Sequence, residues 1–149
     1  MTSIKRFLLA VPVVCFLFVV SCGCGTQENT PDSELESTIT DLVWNLIEIG
    51  SSGEVTGAGG DSISLTLSGS DQMASGFSGC NEYNGSFEIS GNSLVIGPMA
   101  STRMFCEDSM DLEGRYMAAL EAVTRIQSDG LTLTLLDDTG TIVLRFNQK

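Results

Sequence analysis

Cysteine supplies most of the chemistry open to this chain. Cys22 follows Val19-Val20-Ser21, at the close of a 14-residue apolar run from Phe7 to Val20 that begins directly after Lys5 and Arg6. A short basic start, a short apolar segment and a small residue before cysteine form the substrate of a signal peptidase that cuts ahead of a lipid-modified cysteine. The expected product is a mature chain beginning at Cys22 and held to a membrane by acyl chains on its sulfur and amine. A retained membrane helix is the alternative, but spanning takes about 20 residues and this run is shorter, with Pro12 inside it. Cys24 is a second candidate, but Ser21-Cys22-Gly23 lacks the aliphatic residue expected three positions before the cut. Gly23, rather than aspartate, follows Cys22, so in a two-membrane cell the expected address is the periplasmic side of the outer membrane.

Other chemistry is limited by what is missing. The 149 residues contain no histidine, which removes Ser/His/Asp and Cys/His catalysis together with histidine-ligated metal centres. Asp138-Thr139-Gly140 superficially matches an aspartic protease signature. Such enzymes need two carboxylates sharing a proton, and here only nine residues follow the glycine, so a hairpin turn is the better reading. Gly57-Ala58-Gly59-Gly60 lacks the lysine and helix start of a phosphate loop and reads as a surface connection. No catalytic residue, metal ligand or cofactor site is expected.

Charge narrows the partners. Without Lys5 and Arg6, five basic residues face 19 acidic ones, a net charge of −14. Nucleic-acid binding needs a basic footprint that this chain lacks, and a polybasic hold on anionic lipid fails for the same reason. Attachment to the membrane therefore falls to Cys22. Of the remaining cysteines, Cys24 sits near the anchor, whereas Cys80 and Cys106 lie in the folded region. They are either a disulfide or two buried thiols in contact, and an oxidising envelope favours the disulfide.

The elements that position these residues follow from texture. Residues 22–40 read as the lipidated cysteine and a tether, because the run from Gly25 to Thr40 is polar, acidic and too poor in apolar side chains to fold alone. A folded domain is expected over 41–147. Ile63, Leu65 and Leu67 alternate with polar residues, as do Phe87 and Ile89, which is the period of a half-buried strand. Further strands are expected at 42–49, 73–79, 94–96, 131–136 and 142–146, with turns at Ser90-Gly91-Asn92 and Asp138-Thr139-Gly140. Between Asp108 and Ile126 the period changes: Leu112, Tyr116, Leu120 and Val123 recur at helical spacing. Glu107, Asp108, Asp111 and Glu113 crowd the first turn of that helix, where carboxylates complement unsatisfied backbone N–H groups. Their spacing lacks the alternating ligands and central glycine of a calcium loop. Gly114, within the helix, suggests close packing against the sheet.

Trp44-Asn45-Leu46, then Gly79-Cys80-Asn81 followed by Tyr83, Gly85 and Phe87, then Thr102-Arg103-Met104-Phe105-Cys106 ahead of the helix, together resemble the META domain family, which includes heat-inducible HslJ-like envelope lipoproteins. The resemblance spans Leu42 to Phe146, and Phe105 departs from it at a position where a small residue is common. It implies an α+β fold that is mostly antiparallel, a strongly curved sheet or partly open barrel packed with one amphipathic helix. It implies no catalytic residues, and gives Trp44, Gly79, Asn81, Gly85 and Thr102 structural roles. The expected function is a non-enzymatic binding or assembly module in the envelope, with an envelope protein as partner and a place in the stress response. The alternative is a carrier that holds an apolar or lipid-like ligand in a pliable pocket of Met73, Phe77, Met99, Met104, Met110 and Met117.

Overall fold

The structure, a computed structural model, describes residues 31–149 apart from 52–54 and 56. Cys22 and the chain ahead of Pro31 lie outside the described residues. Eight strands follow one another in antiparallel order: β1 (Val43–Ile49), β2 (Ser64–Ser68), β3 (Met73–Phe77), β4 (Glu82–Ser90), β5 (Ser93–Ser101), β6 (Arg125–Ser128), β7 (Thr132–Leu136) and β8 (Ile142–Gln148). Each pairs with its neighbour, and β8 pairs back onto β1, so the sheet closes into a ring. This is the strongly curved, mostly antiparallel sheet that the sequence predicts, as a curved sheet or partly open barrel. The ring does close, but unevenly: β5 and β6 share a single opposed pair, Ser93 and Arg125, whereas β4 and β5 run together for most of their length.

Alternation drives the closure. On β2, Leu65 and Leu67 point inward with Ile63 just ahead; on β4, Tyr83, Gly85 and Phe87 do; on β7 and β8, Leu133, Leu135, Leu144 and Phe146 do. Once the ring is shut these side chains leave water together, and among the described residues no unpaired sheet edge remains except beside the β5–β6 seam. Both expected turns form where glycine relieves the backbone: Gly91 at φ 58° between β4 and β5, and Gly140 at φ 87° between β7 and β8. Asp137 accepts hydrogen bonds from the Thr139 hydroxyl and the Thr141 N–H, which hold its carboxyl below the usual range.

Two helices close the ring. The expected one is α2 (Met110–Glu121), which packs on β8, β1 and β5 through Tyr116 and Leu120. It stops earlier than the periodicity suggested, and Ile126 belongs to β6, a strand the helical spacing concealed. Gly114 also departs from expectation. It is exposed, with open space where a Cβ would stand, so close packing does not explain it.

The second helix, α1 (Pro31–Ile39), lies in the segment read as tether. Proline suits a first helical turn, and Leu35 and Ile39, one turn apart, face the same way. Leu35 packs against the core and Ile39 is fully buried in it. Two apolar residues are too few to mark a helix in sequence, but docking on a finished barrel is enough to hold one. The folded region thus begins about ten residues before the expected boundary.

The candidate functional site

The family-like segments meet where α2 covers the ring. Ser78 to Asn81 form the tight connection between β3 and β4: the Ser78 N–H and hydroxyl both donate to the Asn81 carbonyl, at 2.8 and 2.7 Å. Gly79 takes φ 110° within it, a conformation open to glycine. This turn presents the Asn81 side chain, itself 2% exposed, to the segment leaving β5. Its Oδ1 accepts from the Thr102 hydroxyl at 2.8 Å and the Met104 N–H at 2.7 Å. Its Nδ2 donates to the Met104 carbonyl at 3.2 Å and to the Glu113 carboxylate at 2.9 Å.

One side-chain amide thereby stands in for a strand partner to Met104 and anchors the first turns of α2. Glu113 is nearly buried, and its carboxylate meets the Asn81 amide rather than serving the helix terminus as expected. Cys80 and Cys106 are joined as a disulfide, with Cα atoms 5.9 Å apart, which ties the same turn to the residue before α2. Closing a 26-residue loop contributes about 3.5 kcal/mol on a chain-entropy basis.

A second buried group lies one turn along α2. The Tyr83 and Tyr116 hydroxyls are 2.7 Å apart, and both lie within reach of the Ser64 carbonyl, at 3.0 and 3.3 Å. Gly76 makes this approach possible, since a Cβ there would stand 2.0 Å from the Ser64 oxygen and 3.0 Å from the Tyr83 hydroxyl. Burial pushes both phenols well above their ordinary range. They therefore serve as neutral hydrogen-bonding groups, and Tyr116 also meets Phe146 edge to face.

Trp44 and Gly85 lie elsewhere in the ring. Trp44 is fully buried on β1, and its indole N–H donates to the Ile39 carbonyl at 2.9 Å, fixing the end of α1. Gly85 marks a register shift between β4 and β5, where a Cβ would stand 2.9 Å from the Met99 side chain. Of the residues offered as a pliable pocket, Met99 and Met117 pack against the core, Met73 and Phe77 are half-buried, and Met104 and Met110 are exposed. Trp44, Tyr83, Phe87, Tyr116 and Phe146 fill the interior. Sequence reasoning missed Glu113 and the tyrosine pair as partners. The glycine at position 76 was the available sign of a close approach.

An antiparallel ring of eight strands in chain order, crossed by a helix that enters between β5 and β6, defines the class. The META domain family profile matches residues 37–149, and the chain belongs to the META domain family. Among solved structures it is similar to a protein from Burkholderia xenovorans determined by NMR, with 30% identity over 80% of this chain and 88% of that one, at a TM-score of 0.62. It shares its fold with a second protein determined by NMR, at 20% identity, 79% and 93% coverage and a TM-score of 0.58. It shares it also with a DUF4847 family protein from Bacteroides vulgatus, known from a crystal structure, at 15% identity, 76% and 96% coverage and a TM-score of 0.56. Comparison with curated proteins gives no significant match.

Proposed function

We propose that this protein is a lipid-anchored envelope module that works by binding another envelope protein rather than by catalysis. The observation that carries the reading is how its polar interior is used. Asn81, Glu113, Tyr83 and Tyr116, buried groups with chemical potential, are engaged with one another and with backbone. A depression bounded by Asn45, Asp61, Ser64 and Glu82, with Val43 and Phe77 in its lining, is open to solvent and mostly polar. Such a domain offers its surface, not its interior. No observation favours the carrier reading over the module. Anchoring through Cys22 is supported by the basic start, apolar run and small residue ahead of it, and the resemblance to heat-inducible envelope lipoproteins supports a role in the stress response.

Two measurements test the proposal. Metabolic labelling with a palmitate analogue should mark the wild-type chain and leave Cys22→Ala unmarked; continued labelling of that variant would reject Cys22 as the anchor. Chemical crosslinking in intact membranes followed by mass spectrometry should recover a second envelope protein, and recovery of the chain only with itself would reject the binding role.

A further inference from the structure

The most exposed large apolar side chain among the described residues is Phe105, at 80%, with Met104 at 60% beside it and Met110 at 37% at the start of α2. Exposure alone is common on protein surfaces. Here the backbone beneath is fixed from three sides: Asn81 grips both polar groups of Met104, Thr102 donates to the same amide, and Cys106 is covalently tied to Cys80. An apolar tip held this firmly loses little freedom on binding, which is what a binding hot spot requires.

The surroundings choose among occupants. Three carboxylates, Glu107, Asp108 and Asp111, are exposed beside the tip against one cation of its segment, Arg103, and an open depression bounded by Gly57, Gly59, Gly60 and residues 106–109 carries the first two. Acidic rims repel a second copy of this acidic chain and anionic lipid alike. Geometry also turns the tip from the membrane. Helix α1 packs beside the β2–β3 and β6–β7 turns, through Glu36 to Gln72 and around Ser128 to Gly130. The Phe105 segment leaves β5 at the other end, and a nine-residue strand spans roughly 30 Å. Eight residues, or nine chain steps, separate Cys22 from Pro31, a reach of at most about 30 Å. Only a fully drawn-out connection running back along the barrel would bring the tip to the bilayer.

We infer that Met104, Phe105 and Met110 form a docking ridge for an envelope protein presenting an apolar socket rimmed by lysine or arginine, with Glu107 and Asp108 receiving its cations. This rests on the binding-module reading and names its surface. The test uses the full chain in its own cells, with the photocrosslinker p-benzoylphenylalanine at position 105 or, as control, at position 131, where Leu131 is 72% exposed near α1. Position 105 should give a discrete protein adduct whose crosslinked peptide carries basic residues, and Glu107→Lys with Asp108→Lys should weaken it about tenfold or more. Unchanged thermal unfolding of the charge variant keeps that loss interpretable. A lipid adduct, a self-adduct, or a protein adduct indifferent to the charge reversal overturns the ridge. A protein adduct from position 131 alone overturns the ridge and leaves the module reading standing, whereas no protein adduct from either position defeats both.

Discussion

The two ends of the barrel are closed by different physics. At the α1 end, Ile39 is buried among apolar side chains and one indole hydrogen bond from Trp44 fixes the helix terminus. At the α2 end the closure is polar and covalent, through Asn81, Glu113, the tyrosine pair and the Cys80–Cys106 bond. Apolar closure is forgiving, because a slightly different side chain still leaves water. A buried polar network is not, since removing one partner strands the others without solvent. The α2 end therefore specifies one geometry for the segment that carries Phe105, while the α1 end supplies burial to the helix that precedes β1.

That contrast is broken most directly at Asn81. Asn81→Ala strands the Glu113 carboxylate together with the Met104 N–H and carbonyl, and should cost about 3 to 5 kcal/mol, read as a fall in the denaturation midpoint. A cost below about 1 kcal/mol would mean that water replaces the amide and the network is not the fastener. Next comes the disulfide. Replacing Cys80 and Cys106 together with alanine should cost about 2 to 4 kcal/mol while leaving a folded barrel, because both helices and the sheet still share one core. Thiol labelling of unreduced, denatured wild-type chain should find these two sulfurs protected.

At the other end, Trp44→Phe removes the indole donor and some volume, and should cost about 1 to 3 kcal/mol. Hydrogen exchange should place the added opening in α1, with α2 amides unaffected; uniform loss of protection would show that the two ends are not separable. The smallest effect at neutral pH is expected from the tyrosines. Their folded pKa values lie above the unfolded value near 10, so their contribution is complete below about pH 10 and is lost as pH rises toward the folded values. Tyr83 and Tyr116 are the chain's two tyrosines, so phenolate absorbance should emerge together with unfolding. A phenolate signal near pH 10 from a still folded chain would show one hydroxyl to be solvent-accessible.

Much of the frame is legible in the chain because alternation is a local property. Ile63, Leu65 and Leu67 declare a strand and an inward face wherever they occur, and Gly91 and Gly140 declare turns because few other residues relax into positive φ. Leu112, Tyr116 and Leu120 declare a helix for the same reason. Absence of histidine and the acidic balance are likewise facts of composition, legible without reference to shape.

Tertiary structure decided what depends on distant partners. Whether β8 returns to β1 is set by accumulated strand twist and tilt, which no single segment carries, so an open barrel and a closed ring read alike in sequence. Arg125 to Ser128 become a strand because β7 offers a ladder, against a local period that continues the helix. Pro31 to Ile39 become a helix because the barrel offers burial to Ile39, although their composition resembles a tether. Glu113 looked like an ordinary first-turn carboxylate until Asn81, 32 residues earlier, was brought against it. A charge pattern records what a side chain is, and only the fold determines which groups replace its water.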